Sequence, residues 1–223
     1  MNDANNVVFR EDRLQALRLV PVSRETAERL DIFVDRLRHW RQRTNLISQA
    51  TFANLWIRHI ADSAQILLTH PRAIRWLDIG SGAGFPGMVL AMQLADVDGA
   101  VVHCVESDQR KCAFLREVVR ATRAPAIVHP ARIGSINPSI SGIVEGITAR
   151  AFAPLSTTLD MAKAWLLAGA VGVFPRGRSI AKQFDALSAH SHYETNFVPS
   201  IIDAAALIVR VIIRLDNANE PCP

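Results

Sequence analysis

Four glycines fall within eight positions, at Gly80, Gly82, Gly84 and Gly87. An apolar, strand-like run over 74–79 precedes them and a helical pattern over 88–94 follows. Glycine lets a backbone turn sharply and come close to a ligand, and the start of a helix offers N–H groups with no partner of their own. Glu106 closes the next strand-like run, 101–105. A carboxylate there can accept hydrogen bonds from both hydroxyls of a ribose. The chemistry these residues could do is capture of a nucleoside-bearing ligand. The spacing Gly82-x-Gly84-x-x-Gly87 also satisfies the dinucleotide pattern, so an NAD(P)-dependent oxidoreductase is one reading.

The elements that must position these residues follow from periodicity. Residues 1–20 read as a loose arm in which Arg10, Arg13 and Arg18 alternate with apolar positions, closed by Pro21. Ser23 is placed to cap a helix of about five turns carrying Leu30, Phe33, Val34, Leu37 and Trp40 on one face. A second helical pattern runs from Phe52 to Leu68 and stops at Pro71. Beyond residue 74 strands alternate with helices. Strands are expected over 74–79, 101–105, 126–128, 143–148 and 171–174, and helices over 88–94, 110–120, 155–167 and 179–188. Two final strand candidates, 193–198 and 206–215, have no helix-length segment between them, so an antiparallel finish is expected. The pattern predicts an α/β fold: a doubly wound, mostly parallel sheet with an antiparallel C-terminal strand. The division expected is a helical N-terminal extension, 1–73, and a ligand-binding domain, 74–223.

Composition narrows the class further. The 223 residues are 49% hydrophobic and carry 25 basic against 21 acidic side chains. Twelve arginines and eight acids lie before residue 77, so the whole net charge of +4 belongs to the front third. Such an excess favours an anionic partner. Only three basic residues are lysines, a bias consistent with a GC-rich genome. No apolar run is long enough to span a membrane, and the start lacks a signal-peptide pattern, so a cytoplasmic protein is expected. Cys104, Cys112 and Cys222 have no metal or disulfide spacing, and no metal site is expected.

The fuller string Asp78-Ile79-Gly80-Ser81-Gly82-Ala83-Gly84 resembles the acid-x-Gly-x-Gly-x-Gly signature of S-adenosylmethionine (SAM)-dependent methyltransferases, whose fold is Rossmann-like. An acid two residues before the first glycine would repel a diphosphate. It suits SAM, which carries an amine and a sulfonium instead. Further strings resemble one family, the 16S (small-subunit) ribosomal RNA guanine-N7 methyltransferase G, or glucose-inhibited division protein B. They are Trp40 with Asn45-Leu46-Ile47, Arg58-His59-Ile60-Ala61-Asp62-Ser63, and the loop 77–87 with its Pro86-Gly87. Glu106-Ser107, Lys111, Phe114-Leu115-Arg116-Glu117-Val118 and Ala149-Arg150-Ala151-Phe152-Ala153-Pro154-Leu155 complete the ordered set. Departures are Gly134, near which the family carries an acid, Arg176-Gly177 in place of Lys-Gly, and Glu145 where Asp is common.

The resemblance implies a SAM site at Asp78, Gly80, Gly82, Gly84, Phe85 and Glu106, with Ile133 and Gly134 beside the adenine and Arg150 at the cofactor or substrate edge. Guanine N7 has an in-plane lone pair, so no general base is required. His59 and Arg150 are candidates for positioning the substrate. Arg150 is expected to hold a phosphate, guanine O6 or the SAM carboxylate, and His59 could pair with Asp62 or simply pack. Phe85, Phe152 and Pro154 could offer apolar contact to a base. Arg38, Arg41, Arg43, Arg58, Arg176 and Arg178 are the candidate phosphate contacts, with 16S rRNA or the 30S subunit as partner and a monomer as the default. A non-catalytic RNA- or nucleotide-binding regulator is the remaining alternative.

Overall fold

The computed structural model describes residues 3–41, 44, 46–141, 143–177 and 193–214. Seven strands form one sheet: β1 (Arg75–Ile79), β2 (Val101–Glu106), β3 (Ala126–Pro130), β4 (Gly146–Thr148), β5 (Val171–Arg176), β6 (Tyr193–Pro199) and β7 (Leu207–Ile213). Their order is β3-β2-β1-β4-β5-β7-β6. The first five strands run parallel, and β7 pairs antiparallel with both β5 and β6. The sheet is buried on both faces through its centre: β1 and β2 each bury every residue but their first. That is why these strands read as apolar runs without alternation. Strand order reverses between β1 and β4, and the crevice beyond their C-terminal ends is where open α/β sheets bind ligands.

The helices on one face are α6 (Gly87–Gln93) and α7 (Gln109–Thr122), and α8 (Leu155–Leu167) packs on the other. Asp108 caps α7 by accepting from the Arg110 and Lys111 backbone N–H groups, at 2.8 and 3.1 Å. The helix expected over 179–188 lies outside the described residues.

The front of the chain departs from expectation. Residues 3–19 are not a loose arm but a helix, α1 (Asp3–Leu19), followed by α2 (Arg24–Trp40). Half-buried Phe9 and buried Asp12 and Ala16 provide the inward stripe; its centre is an acid, which hid it. Ser23 caps α2 as expected, its Oγ accepting from Thr26 N at 3.1 Å. Leu30, Phe33 and Leu37 of α2 join Met88, Phe114 and Leu115 in one core, and Phe33 meets the Phe85 ring at 5.2 Å. The second helical pattern is broken into α3 (Gln49–Phe52), a π-helical turn (Trp56–Ala61), α4 (Asp62–Ala64) and α5 (Ile66–Thr69). Single π-helical turns recur at functional sites.

Candidate active site at the sheet's switch point

Two cavities open at the C-terminal edge of the sheet and share one wall. Cavity A, about 820 Å³, lies over the glycine loop and the ends of β1 and β2. Cavity B, about 970 Å³, lies between the π-helical turn, the exit of β4 and the residues just before β7. His59, Arg150, Ala151 and Phe152 line both.

The glycine loop is built for close approach. Gly80 has φ +69°, and the Phe152 ring sits where a Cβ would be. Gly87 is pressed against the Asp78 carboxylate, again with no room for a Cβ. That carboxylate is fully buried, and its Oδ2 accepts from Gly87 N at 3.0 Å, tying β1 to the start of α6. Its Oδ1 has no partner. Burial pushes the acid up to about 7, against the pull of hydrogen bonds from Ser81 and Gly87. Asp78 therefore lies beneath the loop and is not part of the wall of cavity A. Gly84 also lies outside that wall, turning the chain at φ +92° against Met88. Gly80, Gly82, Phe85, Glu106, Ile133, Gly134 and Arg150 do line it.

Glu106 is held at both oxygens. Oε2 accepts from Gly82 N at 2.8 Å and Oε1 from Asp108 N at 2.8 Å. The carboxylate is thereby fixed across the two strand ends with a lone pair on each oxygen still available. Leu46, Ile47, Lys111, Arg132 and Met161 complete the wall. Arg132 and Met161 carried no motif in the sequence; only their places beside Ile133 and on α8 bring them in.

The shared wall is a polar cluster on an aromatic base. The His59 ring stacks on Phe85, with centroids 5.0 Å apart and planes 27° from parallel. The Arg150 guanidinium lies 5.8 Å from the same ring centre. Arg150 Nη2 hydrogen-bonds His59 Nδ1, and Nη1 is 3.4 Å from Asp62 Oδ2. Asp62 Oδ1 also accepts from Gln65 Nε2 at 2.9 Å. His59 is thus oriented by Arg150 rather than by Asp62. Burial, reinforced by Arg150 and Arg58, pushes the imidazole down to about 3, so it stays neutral at physiological pH. Ala151 adopts φ +50°, a conformation unusual outside glycine, at the point where the chain turns between the cavities.

The π-helical turn that carries His59 is anchored by a residue the sequence did not single out. Asp12 of α1 is buried, and its carboxylate accepts from Trp56 N at 2.7 Å and Ile57 N at 3.3 Å.

The six candidate phosphate arginines separate. Arg58 is exposed and lines cavity B. Arg38 and Arg41 are half-buried over aromatic rings: Arg38 lies 4.9 Å from Phe9 and Arg41 4.0 Å from Phe52. Arg176 also lines cavity B, although most of its side chain is buried. It is buried on β5 and donates to Ala149 O at 3.2 Å and to Thr158 Oγ1 at 3.3 Å, bracing the β4 exit. Arg43 and Arg178 lie outside the described residues. Cys104 and Cys112 are both free and buried. Among the described residues no His, Cys, Asp and Glu cluster could hold a metal, and no helix is long and apolar enough to cross a membrane.

The strand order, glycine loop and strand-end acid define the class of Rossmann-like methyltransferase folds. Solved structures agree at the level of fold. An S-adenosylhomocysteine-bound methyltransferase from Podospora anserina superposes with a TM-score of 0.57 at 13% identity, covering 87% of this chain and 98% of that one. The cofactor-bound Rv0187 protein from MTB gives 0.58 at 15% identity, covering 91% and 95%.

Within that class the chain belongs to the rRNA small subunit methyltransferase G family, whose model matches residues 26–206. Curated relatives named ribosomal RNA small subunit methyltransferase G include one from Bradyrhizobium diazoefficiens, 47% identical over 173 residues. That match covers 78% of this chain and 66% of the relative. One from Nitrobacter hamburgensis is 42% identical over 210 residues, covering 94% and 80%. One from Methylorubrum populi is 45% identical over 190 residues, covering 85% and 90%.

Proposed function

We propose that the protein transfers the methyl group of SAM to N7 of a guanine in small-subunit ribosomal RNA. The observation that carries this reading is the pair of cavities meeting at one polar wall at the switch point of the sheet. One cavity has the features of a nucleoside site, and the other leads to it from the side where Arg58 is exposed. Family membership supplies the substrate class.

The residues fit SAM. Glu106, pinned by two backbone N–H groups, is placed to accept the ribose hydroxyls. The loop 80–85 allows close approach without a phosphate-binding charge, and Ile133 and Gly134 form the side on which an adenine would rest. Asp78 places negative potential beneath the loop, which favours an amine and a sulfonium and disfavours a diphosphate. An NAD(P) reading is disfavoured on the same ground.

SAM supplies a methyl on a positively charged sulfur: the N7 lone pair forms the new N–C bond as the C–S bond breaks and the sulfur keeps its electrons. No proton moves, and no residue of the site is required to act as a base. The neutral His59 is consistent with that. What the chain contributes is alignment, an effect worth up to roughly 7–11 kcal/mol for well-oriented partners. It also contributes carboxylates near the base as it becomes cationic; Asp62 and Asp203 are on the wall of cavity B. The SAM domain and helical extension, 74–223 and 1–73, divide the work in this reading, with RNA held in part by the extension. Incubation with labelled SAM and 30S subunits or naked 16S rRNA, followed by mapping of the modified base, tests it. Label at a guanine N7 supports it; label on a pyrimidine, on protein or nowhere overturns it.

A further inference from the structure

Phe152 lines both cavities and is 38% exposed. Single exposed apolar side chains are ordinary on a protein surface. This one lies inside the site, and its position is fixed from two sides. Gly80, at φ +69°, has no Cβ, and the Cδ2–Cε2 side of the Phe152 ring sits in the space a Cβ would need. Ala151, at φ +50°, turns the chain immediately before it. The chain neighbours Ala151 and Ala153 carry only methyl groups, too short to cover a ring. Phe85, the phenyl ring on the wall of cavity A, is by contrast buried and stacked on His59. Among the described residues no ring stacks on Phe152.

What such a ring holds follows from the reaction, so the argument rests on the methyl transfer proposed above. With SAM in cavity A and the target base entering from cavity B, the two reacting atoms meet at the wall between them. The N7 lone pair lies in the plane of the base. It points along the C–S bond only if that plane is held, and a ring against one face holds it. Base–aromatic stacking is strong and tolerant of sequence, because every base has a π face. It needs a bare face, and a base inside a helix has both faces covered by its neighbours. We infer that Phe152 is the stacking platform for the target base, and that the nucleotide this site takes is one turned out of its stack. The ring sets the plane of the base and does not read its identity. Gly80 belongs to the same device, since any side chain there would displace the platform.

The test is a double cycle between the Phe152 ring and the base, read by binding of the full-length protein to reconstituted 30S subunits. Wild-type methylation of the natural RNA is mapped first, so that failure of the methyltransferase reading shows itself separately. The mapped nucleotide is then replaced, by ligation, with an abasic residue that keeps the ribose and phosphates. Binding is measured with S-adenosylhomocysteine present to prevent turnover. The wild type is expected to bind the intact RNA about tenfold or more tighter than the abasic RNA. Phe152→Ala is expected to bind the two about equally, and to bind the abasic RNA as tightly as the wild type does, with SAM affinity in the absence of RNA unchanged. A merely structural role would lower affinity for both RNAs alike, so an equal loss on the two overturns the inference. So does a Phe152→Ala protein that keeps the full preference for the intact RNA. A wild-type protein indifferent to the base overturns it with no variant needed. A loss confined to SAM affinity also overturns it and assigns the ring to the cofactor.

Discussion

Replacing Asp78 with Asn should remove a loss of stability that develops as pH rises from about 4 to about 7. The carboxyl is fully buried, and burial moves it from its ordinary value of 3.8 up to about 7. The sign follows from linkage: between those values the folded state holds a proton that the unfolded state has lost, so stability falls as pH rises through this window. Above pH 7 the folded protein carries a buried charge. At about 1.4 kcal/mol per pH unit, the full displacement corresponds to about 4 kcal/mol. Asn removes that cost and keeps an oxygen to accept from Gly87 N. Its amide nitrogen, however, takes the place of Oδ1, which has no partner, and an unsatisfied buried amide costs about 1–3 kcal/mol. The balance is a gain of about 1–3 kcal/mol at pH 8 and, near pH 5, where less of the cost is present, a change between no effect and a loss of about 1 kcal/mol. In a chain of this length each kcal/mol moves Tm by roughly 2–4 °C. Thermal melts at the two pH values, with and without SAM, measure both effects. The ligand adds a second signature. A cationic ligand above the loop draws Asp78 toward its charged form, so SAM binding to the wild type should tighten as pH rises from 6 to 8 more than binding to Asp78→Asn does. His59, already neutral there, cannot supply that difference. Equal destabilisation at both pH values, with parallel SAM profiles, would refute the reasoning.

Three further outcomes are expected. Glu106→Gln turns an amide N–H against a backbone N–H now accepted at 2.8 Å, so SAM affinity measured by calorimetry should drop by about tenfold or more, corresponding to about 1.5–3 kcal/mol for a charge-assisted bond. Asp12→Ala releases the backbone N–H groups of Trp56 and Ile57, and should lower Tm and methylation together while Arg13→Ala, which breaks an exposed pair with Asp31, costs about 1 kcal/mol or less. Arg58→Ala should weaken RNA binding and reduce the slope of log affinity against log salt by about one, with SAM affinity unchanged; a slope equal to wild type would remove Arg58 from the phosphate contacts.

The sheet was legible because its strands are apolar on both faces and its helices amphipathic. α8 matches its expected limits, 155–167, and the antiparallel finish follows from the short link between the last two strands. The glycine loop and strand-end acid that line cavity A were legible because they are local in the sequence, while Asp78 and Gly84, in the same string, lie outside that wall. Two things were not. α1 was read as an arm because its buried stripe centres on Asp12, a charged residue that turns inward to hold backbone 44 residues away. No local pattern announces such a bond. Cavity B was missed because its far wall comes from Ser200, Ile202 and Leu207, a segment carrying no motif, brought into place by strand pairing and by hydrogen bonds of Ser200 and Ile201 with Gln65.

The structure also redistributes the charge of residues 1–76. Arg13 and Arg29 are held by Asp31 and Asp96 at 2.7 Å, Arg24 by Glu28 at 2.9 Å and Arg75 by Glu145 at 2.8 Å. Arg38 and Arg41 lie over aromatic rings, where the cation is partly committed to packing. Pairing brings one arginine close to local neutrality at each bridge, so the excess that draws an anion is not spread evenly over the extension. Arg10, Arg18, Arg58 and Arg72 are exposed outside these bridges, and of the four Arg58 lines cavity B. In the proposed reading, phosphate capture there would bring RNA to the cavity that leads to the wall formed by His59 and Arg150. In this arrangement α1 serves binding chiefly through Asp12, an acid, which holds in place the turn that presents Arg58 on one side and His59 on the other.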